Sequence, residues 1–180
     1  LSIRRQRQMC IRDRAHTDLV KKLDYECELA VVLGRDARDV PAGQTRDYIF
    51  GYTILNDVSA RDVQTAHKQW YFGKSLDGFT PIGPCIVTAD AFADYPPRLG
   101  IRSFVNGEKR QDSNTALQIF DIDHVIAELS QGMTLKAGTI IATGTPAGVG
   151  MGMDPPQFLK PGDVVRCEIE GIGTLTNPIK

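Results

Sequence analysis

Two acids separated by one residue, Glu26 and Glu28, stand inside the apolar run Tyr25 to Leu33. Successive side chains of a strand leave opposite faces, so the pattern predicts both carboxylates on one face and Tyr25, Cys27 and Leu29 on the other. Adjacent like charges repel, and a carboxylate taken out of water without a partner is costly. A hard divalent cation answers both difficulties, because Mg²⁺ takes an all-oxygen shell that readily includes carboxylates. Two acids on a solvated strand face are the alternative reading. Asp57 is a third acid, in Leu55-Asn56-Asp57-Val58-Ser59-Ala60-Arg61-Asp62, where a strand is predicted to give way to a helix. Alone it reads equally well as a helix-start acid that satisfies free N–H groups. Spacing does not bring it to the glutamates; only a fold can.

The elements that must position these acids are mostly short strands between turns. Tyr25 to Leu33 reads as a buried strand closed by Gly34, and Tyr48 to Leu55 as a second, rich in β-branched and aromatic residues. Pro84 to Thr88 and Thr139 to Thr143 suggest two more. Ile101 to Val105, Asn106-Gly107 and the run from Glu108 spell a hairpin. A last hairpin runs through Val164 to Glu170, turns at Gly171-Ile172-Gly173 and returns toward Pro178. One helix is predicted from an Asp121 N-cap through Ile122, Val125, Ile126 and Leu129 to a stop at Gly132, and a second from Ala60 to about Trp70. The pattern predicts a mainly β protein with a few helices (α+β), built as a β-sandwich or barrel.

Composition narrows the classes. A chain of 180 residues is long enough for one domain and short for two, which places a single domain over residues 15–180. No apolar run approaches the roughly 20 residues of a membrane span, and no apolar signal core opens the chain. The four cysteines form no CxxC pair, so free thiols in a reducing cytoplasm are expected. Residues 1–14 carry five arginines against one acid, leaving 16 basic and 21 acidic residues beyond them. This arm resembles a translated sequencing-adapter read and is expected to be foreign to the fold or disordered. The acidic body and the absence of a recognised motif speak against nucleic-acid binding. The glycine-rich stretch Thr143 to Gly152 lacks both P-loop and dinucleotide-binding spacing. His67 reads as a solvated helix residue, His124 as a residue near a helix start, and Trp70, Tyr71 and Phe72 as core or dimer packing.

Several segments together, Leu23 to Val32, Asn56 to Asp62, Gly73-Lys74-Ser75, Pro81 to Pro84, Thr143 to Gly150 and Lys160 to Asp163, resemble the fumarylacetoacetate hydrolase family in family order over residues 18–180. The resemblance implies that family's β-sandwich roll or barrel and one Mg²⁺ (or Mn²⁺) held by Glu26, Glu28 and Asp57. It implies a small 2-oxo or 1,3-diketo acid as substrate, chelated to the metal through its 1-carboxylate and 2-oxo oxygens. The activity this implies is cleavage of a C–C bond through a metal-stabilised enolate, as in an acylpyruvate or fumarylpyruvate hydrolase or an oxaloacetate decarboxylase; keto–enol tautomerisation passes through the same enolate. It further implies Lys74 as the active-site lysine, Arg61, Gln64 and Thr145 as substrate contacts, and a homodimer. A salt bridge to Asp62 or another acid is the rival reading of Arg61. Isomerisation or decarboxylation of 2-hydroxy-diene-dioates, or a catalytically impaired metal- and ligand-binding fragment, are the alternative functions.

The sequence departs from the family upstream of Glu26. Relatives carry there a Gly-Asn-Tyr segment with a lid His–Glu pair, whereas this chain offers only His16 in unlike surroundings. The expectation is a fragment lacking its natural start, which binds Mg²⁺ and a 2-oxo acid but hydrolyses β-diketo acids poorly.

Overall fold

The computed structural model describes residues 18–66 and 68–180; the arginine-rich arm, His16, Cys10 and His67 lie outside the described residues. Among the described residues, ten strands form one two-stranded and two four-stranded sheets. The strands are β1 (Leu23–Asp24), β2 (Cys27–Leu33), β3 (Ile49–Asn56), β4 (Ser59–Ala60), β5 (Ile82–Thr88), β6 (Gly100–Val105), β7 (Glu108–Asn114), β8 (Ile140–Ala142), β9 (Val164–Ile169) and β10 (Gly173–Pro178). One sheet runs β5-β3-β2-β8, the other β10-β9-β6-β7, and β1 pairs with β4. All the pairings are antiparallel.

The two larger sheets share one core. β2 and β3 contact β6 and β9, and the buried cluster includes Leu29, Val31, Tyr52 and Ile54 from one sheet and Ile101, Val165, Cys167 and Ile169 from the other. Each such aliphatic side chain contributes about 1.5–3 kcal/mol of burial. The predicted hairpin at Asn106-Gly107 is present, and both turn residues have positive φ (52° and 86°), as a tight two-residue hairpin requires. Helix α3 (Ile122–Gly132) begins at the predicted cap, where the Asp121 carboxylate accepts the His124 N–H at 2.8 Å.

The expected helix from Ala60 to Trp70 is broken into α1 (Arg61–Ala66) and α2 (Tyr71–Lys74). Lys68 adopts φ +56°, a left-handed conformation that cannot continue a helix. The break lets α2 fold back on α1, where Gly73 lies so close that an added Cβ would stand 2.6 Å from the Gln64 amide nitrogen. Trp70, Tyr71 and Phe72 are exposed, so they are not core residues. Cys27, Cys85 and Cys167 are free thiols, the first and last fully buried. Among the described residues no helix is long and apolar enough to cross a membrane.

Candidate metal centre

The pairing of β2 with β3 explains how distant acids meet. Cys27 lies opposite Asn56 and Glu28 opposite Leu55. Continued by one step, that antiparallel register sets Glu26 against Asp57, and the Asp57 N–H donates to the Glu26 carbonyl at 2.9 Å. Glu26, Glu28 and Asp57 each offer a carboxylate oxygen within 4.8 Å of those of the other two. Glu26 itself stands just before β2 rather than inside the strand, in the step from β1. That step is pinned by the Glu26 N–H donating to Asn56 Oδ1 at 3.1 Å.

Two of the three acids are paired with cations. Lys74, at the end of α2, donates to Glu26 Oε2 at 2.9 Å, to Asp57 Oδ2 and to Ser59 Oγ at 3.0 Å. Burial pulls the Lys74 ammonium down, but its hydrogen bonds to Asp57 and Glu26 outweigh this and hold its pKa above the ordinary value. Arg61, at the start of α1, meets Glu26 Oε1 at 2.6 Å and Asp24 Oδ2 at 2.9 Å. Of the rival reading of Arg61, the structure therefore realises ion pairs with Asp24 and Glu26 and not with Asp62, whose carboxylate takes the Lys21 N–H. The Nη2 of Arg61 is buried and has no hydrogen-bond partner. Gln64, also buried, accepts from Arg61 Nη1 at 3.2 Å.

Glu28 differs. It is 3 % exposed, accepts the Gly144 N–H at 2.8 Å, and forms no ion pair among the described residues. Burial pushes its pKa up to about 8, with Asp57 and Glu26 adding to the rise against the Gly144 hydrogen bond. Burial also raises Asp57, only partly offset by Lys74. Three converging carboxylates, one of them dry and without a counter-charge, fit a hard oxygen-seeking divalent ion.

Thr145 lies in the turn that supplies the Gly144 N–H, but its hydroxyl is engaged within the protein. It donates to the Cys27 carbonyl at 2.9 Å and accepts from Gln111 Nε2 at 2.8 Å. The same turn borders a cavity of about 450 Å³ lined by Leu29, Ile101, Gln118, Phe120 and Val125 among others. None of the three acids lines it, but Gly144, which does, donates to Glu28. Three participants lie inside the resembling segments but were assigned no role beforehand: Ser59, the Gly144 N–H and Asp24. Asp24 sits inside one of the resembling segments, but only the two-residue pairing of β1 with β4 brings it against Arg61.

Comparison with known proteins follows the same lines. The sequence profile of the fumarylacetoacetate (FAA) hydrolase C-terminal family matches residues 3–180. Oxaloacetate tautomerase YisK of Bacillus subtilis is 48% identical over 166 residues, covering 92% of this chain and 55% of that protein. Among solved structures, a fumarylacetoacetate hydrolase from Exiguobacterium antarcticum superposes with a TM-score of 0.91 at 51% identity, covering 94% of this chain and 60% of the other. A 2-hydroxyhepta-2,4-diene-1,7-dioate isomerase from Mycobacterium marinum does so at 0.81 and 45% identity, covering 94% and 62%. The chain spans about half the length of the curated relatives it matches. With the motifs, the sheet topology and the acidic cluster in agreement, the chain belongs to the fumarylacetoacetate hydrolase C-terminal family.

Proposed function

We propose that this chain is the metal-binding catalytic domain of a Mg²⁺-dependent (or Mn²⁺-dependent) enzyme that takes a small 2-oxo acid through an enolate. The observation that carries this reading is Glu28, a buried carboxylate beside two others with no cation of its own. Glu26, Glu28 and Asp57 would hold the ion, and the bound ion would supply Lewis-acid stabilisation of the developing enolate.

The chain's own residues supply the rest. Lys74 is held cationic, so at neutral pH it acts as a fixed positive charge and donor toward a carboxylate or oxyanion, not as a base. Arg61 has one buried donor, Nη2, without a partner, and an anionic substrate oxygen would satisfy it once the site opens to admit one. Gln64 is buried beside Arg61 and accepts from its Nη1, and is proposed as a contact of the same substrate. Thr145, with its proton committed to Cys27, shapes the turn and offers a substrate carboxylate no hydroxyl donor unless it swings free.

Among reactions that share an enolate, keto–enol tautomerisation of oxaloacetate is favoured by the relative from Bacillus subtilis. Hydrolysis of a diketo acid and isomerisation of a hydroxy-diene-dioate draw support from the solved relatives and are the second reading. The test is oxaloacetate enol decay followed by absorbance, with and without Mg²⁺, beside an acylpyruvate hydrolysis assay. Metal-dependent acceleration of tautomerisation supports the proposal. Equal rates with Mg²⁺ and with excess chelator on every substrate would overturn it.

A further inference from the structure

Asp24 is fully buried and saturated. Its Oδ1 accepts the N–H groups of Tyr25 (2.9 Å) and Gly150 (2.8 Å), and its Oδ2 accepts the Met151 N–H (2.9 Å) and Arg61 Nε (2.9 Å). One carboxylate thus joins three parts of the chain: the segment that leads into Glu26, the first turn of α1, and the glycine-rich turn after Val149. Gly150 permits the approach, since an added Cβ there would stand 2.8 Å from Asp24 Oδ1.

What this does to the site follows from the shape of arginine. A guanidinium facing a carboxylate prefers the two-pronged contact, with two parallel N–H groups on the two oxygens. If Arg61 met Glu26 that way, both oxygens of a metal-facing carboxylate would be occupied. Asp24 takes the Nε edge, which closes the side-on contact through Nε and Nη2 to Glu26. Only Nη1 reaches Glu26, and only at Oε1, while Oε2 turns to Lys74 and the acidic cluster. Nη2 is buried without a partner.

We propose that Asp24 is a positioning residue of this site, which fixes Arg61 so that Nη1 meets Glu26 at Oε1 and Oε2 is left facing Lys74, Asp57 and any divalent cation bound among the three acids. The inference rests on the proposed function, because it assigns Asp24 a purpose only where a cation is bound.

The test is a double-mutant cycle of Asp24→Asn with Arg61→Met, read by Mg²⁺ calorimetry and by kcat and KM for oxaloacetate. With Arg61 present, Asp24→Asn is expected to weaken Mg²⁺ binding about 10–100-fold, the range typical of residues that orient metal ligands. With Arg61→Met in place, the same change is expected to weaken it less than about threefold, because nothing remains to be restrained. A general packing role would give the same loss in both backgrounds. Asp24→Glu, which keeps the charge, is expected to recover part of the affinity, and it replaces Asp24→Asn in the cycle should the latter not fold. Equal Mg²⁺ affinity of Asp24→Asn and the natural chain, or losses independent of Arg61, would overturn the role of Asp24 while leaving the proposed function standing. No Mg²⁺ uptake by the natural chain would overturn both.

Discussion

Replacing Glu28 with glutamine separates the electrostatics of the site from its packing. Glutamine keeps the size of the side chain and an oxygen for the Gly144 N–H, but not the charge. In the metal-free protein Glu28 stays protonated up to about pH 8, whereas unfolded it would ionise near 4.5. Between these values the folded state binds the extra proton, so stability falls as pH rises. At about 1.4 kcal/mol per pH unit, this group alone removes roughly 3 kcal/mol between pH 4.5 and 7. For a chain of this size that corresponds to about 6–12 °C in Tm. The assay is thermal unfolding in chelator from pH 5 to 8.5, comparing the natural chain with Glu28→Gln. The natural chain should lose stability relative to the variant across this window. Mg²⁺ should restore it in the natural chain and do little for the variant. Parallel pH profiles for the two proteins, or equal stabilisation of both by Mg²⁺, would refute the claim that Glu28 is a buried acid waiting for a cation.

Further outcomes follow from the same geometry. Asp57→Asn removes an anionic oxygen and should weaken Mg²⁺ binding by at least about tenfold, or roughly 1.4 kcal/mol, in a calorimetric titration. Lys74→Met removes the donor shared by Glu26, Asp57 and Ser59, so kcat for oxaloacetate should drop about 10²–10³-fold with the fold retained by circular dichroism. Gly73→Ala places a methyl group against the Gln64 backbone; urea unfolding should register a loss of about 1–3 kcal/mol, and turnover should fall as α2 carries Lys74 away. Because Glu28 must give up its proton to a metal, Mg²⁺ affinity should rise by up to about tenfold per pH unit from pH 6 toward 8 and then level off.

Much of the sheet structure was legible because its signals are local. Alternation, β-branched runs and the Asn106-Gly107 turn located β2, β3, β6, β7, β9 and β10, and the Asp121 cap located α3. The break in the second helix was not legible: it depends on Lys68 taking a left-handed conformation, which no residue type announces. Nor was the two-residue pairing of β1 with β4, too short to carry a pattern. The three acids were readable as types, yet their meeting depends on the register of β2 against β3, which is a tertiary fact. The engagement of the Thr145 hydroxyl and the saturation of Asp24 likewise depend on tertiary contacts, some of them more than 100 residues apart in sequence.

Manganese offers the most direct test, since it occupies magnesium sites and scatters X-rays anomalously. Crystals of the chain grown with Mn²⁺ should show a single strong anomalous peak bounded by oxygens of Glu26, Glu28 and Asp57, absent from crystals of Glu28→Gln. A map with no peak at that point, or with a peak held by other residues, would contradict the assignment of this cluster as the metal centre.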